Sequence, residues 1–298
     1  MALIPPYLQK GDAVVIIATA RKISDEELNP TIAILNSWGL SAELAPNLFK
    51  SHHQFSGSDE ERTQDLQWAL DHKTAKAILV ARGGYGTLRI IDHVDFTEFK
   101  KNPKWLIGYS DVTVLHSHLQ NMGIVSLHAT MPVNFLKHDE ATLSIKHLLF
   151  NEQISYSIPI HPLNKPGKVR AEVIGGNLSL LYALSGSPSE VDFDGKILFI
   201  EDLDEFLYHV DRMMLQMKRS DKLKGLAGLI VGGMSEMKDN SISFGKNAEE
   251  IIFDAVQSYS YPVCFNFPAG HIDENIAFYL GKIATLEVTK TTVQFYYL

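Results

Sequence analysis

Asp12 is followed by six apolar residues, Ala13 to Ala18, most of them β-branched. A run that is apolar at every position, not at alternate ones, predicts a parallel strand covered on both faces. The period then changes. Leu28, Ile32, Leu35 and Trp38 recur at helical spacing within residues 24–38, and Gly39 ends the segment. Residues 42–44 read as a short strand. Ser58-Asp-Glu-Glu61 has the capping-box pattern and opens a helix to about Asp71 that buries Leu66 and Leu70. Ala77 to Ala81 is another apolar strand, followed by Arg82-Gly-Gly-Tyr-Gly86 and a helix through Ile91. Trp105 to Ile107 reads as a buried strand, with a helix opened by Asp111. Strands alternating with helices predict a parallel sheet with crossovers.

That alternation stops after Pro132. One more helix is expected at 139–150, and Ile154 to Ile160 alternates. His161-Pro-Leu-Asn-Lys-Pro-Gly167 is turn chemistry and marks a linker. Beyond it the pattern mixes strands (Val169–Ile174, Lys196–Glu201, Gly228–Val231, Leu286–Val288, Val293–Tyr297) with helices at 177–185, 204–218 and 246–257. The closing strands have no helical crossovers, so this half reads as a mixed sheet. The expectation is an α/β protein of two domains, 1–150 and 165–298, without internal repeats.

At 298 residues the length suits two domains. A net charge of −8 without a Lys/Arg stripe argues against a nucleic-acid partner. The single cysteine, Cys264, cannot form an internal disulfide and reads as a small buried hydrophobe. The N-terminus lacks a basic region followed by an apolar stretch, and no apolar run nears the roughly 20 residues that span a bilayer. A cytoplasmic protein with no membrane partner is expected.

The candidate chemistry begins at Ser110, on the turn out of the Trp105–Ile107 strand. A serine on a sharp strand-to-helix turn holds its hydroxyl exposed beside a helix N-terminus, as a nucleophile requires. A plain helix N-cap suits the same position, and the turn departs from G-x-S-x-G because Val112 stands at the second glycine. Glu201 ends the strand Lys196-Ile-Leu-Phe-Ile200, where open α/β sheets place functional groups. It equally suits the cap of a helix with Asp202, Asp204 and Glu205 in its first turn. His271 follows Gly270 in a loop and is one of 12 histidines. His116 and His118 lie two apart on a helix and face different ways, and His128 adds no ligand spacing, so no metal is expected. No cofactor is expected either. Arg82-Gly83-Gly84-Tyr85-Gly86 has Arg89 where a dinucleotide fingerprint needs its third glycine. An oxyanion hole shared with the Asp111 N–H is an equally physical use of that loop.

Five segments occur in order: Ala81-Arg-Gly-Gly-Tyr-Gly86, Ile107-Gly-Tyr-Ser-Asp111, Ile174-Gly-Gly-Asn-Leu178, Phe199-Ile-Glu-Asp-Leu-Asp-Glu205 and Pro268-Ala-Gly-His271. Together they resemble the LD-carboxypeptidase family of serine peptidases over nearly the whole chain. The resemblance implies an N-terminal Rossmann-like parallel-sheet domain with the serine and a C-terminal mixed α/β swivelling domain with the acid and the histidine. It implies Ser110 as nucleophile, His271 as base and Glu201 as the residue orienting the base. The backbones of Asp111 and Gly84, or its neighbour Gly83, would form the oxyanion hole. Arg82, Gly83 and Asn177 would contact substrate. The triad would then be shared between the two domains, and a homodimer is implied as well. One departure is Leu127-His-Ala-Thr-Met131, where family members often read His-Gly-Pro.

The reaction so implied is removal of the terminal D-alanine from a murein tetrapeptide through an acyl-enzyme, in peptidoglycan recycling. Its muropeptide substrate carries a free carboxylate. Arg82 and Arg89 are the cationic candidates for reading it, with a surface ion pair the plainer role for Arg89. Two rival readings remain. An amidase of peptidyl-nucleotides, as in the related microcin C immunity proteins, needs an aromatic platform. Tyr182 to Glu190 contains no Trp, and Trp38, Trp68 and Trp105 fall in the first domain. A non-enzymatic peptide or nucleotide binder would use the glycine-rich loop without Ser110.

Overall fold

The structure, a computed structural model, describes residues Ala2–Tyr297. The chain begins with β1 (Ala13–Ile17), α1 (Asp25–Ser37), β2 (Ser41–Leu44), α2 (Asp59–Asp71) and β3 (Ala77–Val80). Next come α3 (Thr97–Lys101), β4 (Trp105–Gly108), α4 (Thr113–Asn121), β5 (Ser126–His128) and α5 (Asp139–Leu149). The second half holds β6 (Ser155–Ile158), β7 (Gly167–Asn177), α6 (Leu178–Ala183), β8 (Ile197–Leu203), α7 (Leu207–Arg219), β9 (Gly228–Ser235) and α8 (Ala248–Val256). It closes with β10 (Val263–Cys264), β11 (Phe278–Leu280), β12 (Ile283–Val288) and β13 (Val293–Tyr296). The chain divides into two compact units, Met1–Glu152 with Asp273–Leu280, and Gln153–Ile272 with Gly281–Leu298.

The first unit is built on a sheet of order β11-β5-β4-β3-β1-β2. Strands β1 to β5 are parallel, and β11 joins β5 antiparallel. Every residue of β1, β3, β4 and β5 is buried, which is why these strands read as unbroken apolar runs. Ser24 and Ser58 each close a capping box, with Glu27 and Glu61, at the starts of α1 and α2. The expected helix after Gly86 is instead two 3₁₀ turns, Thr87–Arg89 and Ile91–His93. Neither has a side-chain cap, and the Thr87 N–H is taken by the Asp111 carboxylate. Asp273–Leu280, which the pattern had grouped with the second half, supplies the edge strand of this sheet.

The second unit has a sheet of order β10-β9-β8-β7-β12-β13-β6. Strands β10, β9, β8 and β7 run parallel, and β7, β12, β13 and β6 pair antiparallel, giving the mixed sheet that the missing crossovers predicted. Leu207, Val210, Met213, Met214 and Met217 form the buried stripe of α7 and pack with Ile174, Leu198 and Ile252. Helix α7 begins at Leu207, later than expected. Asp204 stands at φ 63°, a left-handed conformation that a helix cannot include. Asp202, Asp204 and Glu205 therefore precede its first turn.

Candidate active site

Strand β4 ends at Gly108, where the backbone turns sharply. Gly108 has φ 157°, and a Cβ there would meet the Val112 side chain at 2.8 Å. Ser110 stands at φ 62°, a left-handed conformation that costs a non-glycine residue roughly 1–2 kcal/mol. Ser110 does not cap a helix. It is the first residue of a 3₁₀ turn, Ser110–Val112, that leads into α4. His116, fully buried in α4, reaches back to this turn. Its Nε2 lies 2.9 Å from the Gly108 carbonyl and its Nδ1 2.8 Å from Ser126 Oγ. Burial lowers the ring to about 4, so it is neutral, donating from Nε2 and accepting at Nδ1.

The glycine-rich loop lies against Ser110. A Cβ on Gly83 would fall 2.9 Å from both Cβ and Oγ of Ser110, and 3.2 Å from the Met131 methyl. Met131, in the segment that follows β5, thus reaches the same loop. Asp111 ties loop and turn together, its Oδ2 accepting the Thr87 N–H at 2.8 Å. Thr87 Oγ1 in turn meets Thr19 Oγ1 at 2.7 Å. Arg62, wholly buried, donates to the Thr19 carbonyl at 2.6 Å and would collide with any side chain at Gly86. Burial pushes the Asp111 carboxyl above the usual range, against its hydrogen bond to Thr87. Arg82 is paired with Glu27 at 3.1 Å, and Arg89 with Asp59 at 2.6 Å.

In the second unit Glu201 lies inside β8, which runs on to Leu203, and is completely buried. Its Oε2 accepts from His271 Nδ1 at 2.7 Å and from the His271 backbone N–H at 3.0 Å. Gly270 has φ 110°, and a Cβ there would sit 2.7 Å from the same carboxylate oxygen. The loop is held at its other side by Ser235 Oγ, which donates to the His271 carbonyl at 2.7 Å. Asn177 Oδ1 accepts the Leu180 N–H at the start of α6, while its Nδ2 donates to Asp202 Oδ1 at 2.9 Å and approaches Glu201 Oε1 at 3.4 Å. Asp202 Oδ2 also accepts the Ser179 N–H at 2.8 Å. Asn177 thus braces the acid within this unit.

Electrostatics follow from this packing. Burial and then the Glu201 charge push the Asp202 carboxyl up to about 7. For His271, burial opposes the charged ring, but Glu201, Asp202 and Glu236 outweigh it and the ring is raised above its ordinary 6.5. A carboxylate on Nδ1 fixes the tautomer and leaves Nε2 to exchange a proton. The Cys264 thiol is buried and pushed up to about 12. Among the described residues no His/Cys/Asp/Glu group is arranged to hold a metal ion. No helix among them is long and apolar enough to cross a membrane.

The candidate residues therefore fall into two clusters: Ser110, Asp111, Gly83 and Gly84 in the first unit, and Glu201, His271 and Asn177 in the second. The sequence pattern marks neither Arg62 nor the Asp111 carboxylate, places Asp202 in the first turn of a helix and gives His116 no ligand role; burial and hydrogen bonding are what distinguish them.

Residues 14–129 match the LD-carboxypeptidase N-terminal domain, and residues 170–286 the LD-carboxypeptidase C-terminal domain. The chain is 35% identical over 295 residues to a probable murein peptide carboxypeptidase of Bacillus subtilis, covering 97% of this chain and 92% of the relative. The crystal structure of muramoyltetrapeptide carboxypeptidase from Oxalobacter formigenes superposes with a TM-score of 0.87 at 28% identity, covering 95% of this chain and 97% of that one. The microcin C7 self-immunity protein MccF, in complex with aspartyl sulfamoyl adenosine, reaches the same TM-score of 0.87 at 19% identity, over 99% of each chain. At that identity the likeness is one of fold alone.

Proposed function

This chain belongs to the LD-carboxypeptidase family, and from that premise we propose that it removes the terminal D-alanine from murein tetrapeptides by acyl-enzyme hydrolysis at Ser110. The observation that carries the reading is Ser110 itself, strained at φ 62° with Gly83 against its hydroxyl. The buried Glu201 carboxylate on His271 Nδ1 supports it.

In this mechanism His271 Nε2 takes the Ser110 proton as Oγ attacks the carbonyl of the L-centre before D-alanine. Backbone N–H groups of Asp111 and of Gly84, or of its neighbour Gly83, hold the oxyanion. His271 returns the proton to the departing D-alanine nitrogen. It then activates water, which frees the acyl group from Ser110. Glu201 keeps the ring in one tautomer and stabilises its cation. A role in peptidoglycan recycling, a cytoplasmic location and a homodimer belong to the same proposal and rest on family resemblance.

The test is mass spectrometry of L-Ala-γ-D-Glu-diaminopimelate-D-Ala incubated with the wild type or with Ser110→Ala. D-Alanine released by the wild type alone is the expected result. No release by the wild type would overturn the substrate assignment. Equal release by both would overturn Ser110 as nucleophile.

A further inference from the structure

The arginines around the glycine-rich loop differ in what already holds them. Arg82 pairs with Glu27, Arg89 with Asp59, and Arg62 is buried on the Thr19 carbonyl. Arg21 is exposed, and among the described residues its guanidinium has neither an ion pair nor a hydrogen bond. It is nonetheless fixed to the loop. Its backbone N–H donates to the Gly83 carbonyl at 3.3 Å, and it forms an antiparallel bridge with Phe55. Its stem covers Gly84: a Cβ on that glycine would fall 2.7 Å from Arg21 Cγ and 2.8 Å from Cδ. Gly84 has φ 118°, so the position is closed to side chains on backbone grounds as well. One glycine of the pair thus meets the Ser110 hydroxyl, and the other meets the stem of an uncommitted arginine.

Resting on the hydrolase reading above, we propose that Arg21 binds a carboxylate of the substrate peptide and sets the preference for an acidic one. A guanidinium offers a planar fork of donors that matches a carboxylate in bidentate fashion. The chain carries a net charge of −8, so an acidic peptide needs a local cation to be drawn in. Binding at Arg82 or Arg89 would first have to break an ion pair. Arg21 needs no such exchange, and its stem is anchored on the loop that touches the nucleophile.

A murein tetrapeptide offers carboxylates on its terminal D-alanine, its diaminopimelate and its D-glutamate. Wild type, Arg21→Gln and Arg21→Lys are compared on L-Ala-γ-D-Glu-diaminopimelate-D-Ala and on three peptides that each lack one carboxylate. These are the C-terminal amide, the peptide with lysine for diaminopimelate, and the peptide with isoglutamine for glutamate. Arg21→Gln is expected to lower kcat/KM on the parent peptide roughly 10- to 100-fold, mainly through KM, with Arg21→Lys recovering part of the loss. On one blocked peptide the Gln penalty should vanish, which identifies the carboxylate. A loss under about twofold on the parent peptide, or an equal penalty on all three blocked peptides, would overturn the proposal. Should the wild type release no D-alanine, the hydrolase reading fails separately. Calorimetric titration of the parent peptide into Ser110→Ala, with and without Arg21→Gln, then decides. A Kd weakened about tenfold by Arg21→Gln supports the carboxylate site, and an equal Kd overturns it.

Discussion

Glu201 Oε2 accepts two hydrogen bonds from His271, 2.7 Å from the ring Nδ1 and 3.0 Å from the backbone N–H. One carboxylate oxygen therefore sets both the position of the histidine loop and the tautomer of the ring. Glutamine at 201 keeps the size but removes the charge that favours the imidazolium, and its amide allows the wrong tautomer. In Glu201→Gln, kcat for D-alanine release should fall about 10³- to 10⁴-fold with little change in KM. Steady-state kinetics check this, and a kcat near the wild-type value would remove Glu201 from the mechanism.

Asp202 should add to the pH response that Glu201 dominates. Catalysis needs a neutral His271 ring, so kcat/KM should fall as pH drops through its folded value, which lies above the ordinary 6.5. Above about 7 Asp202 is ionised and counts among the negative neighbours of His271, so Asp202→Asn should move the upper part of that limb to lower pH. The same variant should change stability. Asp202, raised from 3.8 to about 7, keeps its proton in the folded chain where the unfolded chain has lost it. Stability therefore falls as pH rises through that window. The raised His271 acts in the same sense: its contribution is full below 6.5 and is lost as pH rises through its folded value. Urea denaturation across this range should show a flatter profile for Asp202→Asn. A rate limb that stays in place would detach Asp202 from His271.

Burial explains which features could be read from sequence. Strands β1, β3 and β4 are covered on both faces, so their apolar runs are unbroken and unmistakable. Ser58 and Glu61 announce a helix because the capping bonds are local. Strand β11 is only three residues long, and nothing in its sequence says that it joins β5, 150 residues earlier in register at Phe278 and His128. Asp202 looked like a helix-start acid. What makes it a buried partner of Asn177 is the left-handed backbone at Asp204, which delays α7. The pairing of Arg82 with Glu27 joins residues far apart in the chain, and no local pattern records it.

Gly83 separates crowding from backbone strain. Its φ is not in the left-handed region, so alanine suits the backbone, yet the new Cβ would sit 2.9 Å from Ser110 Oγ. Loop or serine must shift by several tenths of an ångström, displacing the N–H groups assigned to the oxyanion. Gly83→Ala should lower kcat about 10²-fold with little change in the urea midpoint. Wild-type kcat in this variant would show that the loop does not contribute to the oxyanion site.

At Ser110 the effects on activity and on stability should separate. Alanine and glycine at 110 both remove the nucleophile, so both should lose roughly 10⁴- to 10⁶-fold in kcat. They differ in backbone cost. At φ 62° alanine retains the left-handed penalty, about 1–2 kcal/mol, and glycine escapes it. Glycine also loses more entropy on folding, about 0.5–1 kcal/mol. The balance leaves Ser110→Gly more stable than Ser110→Ala by about 0.5–1 kcal/mol. Paired denaturation curves of the two inactive variants measure that difference. An alanine variant as stable as the glycine one would mean that the turn relaxes once the hydroxyl is gone, so that the serine side chain itself holds the strained conformation.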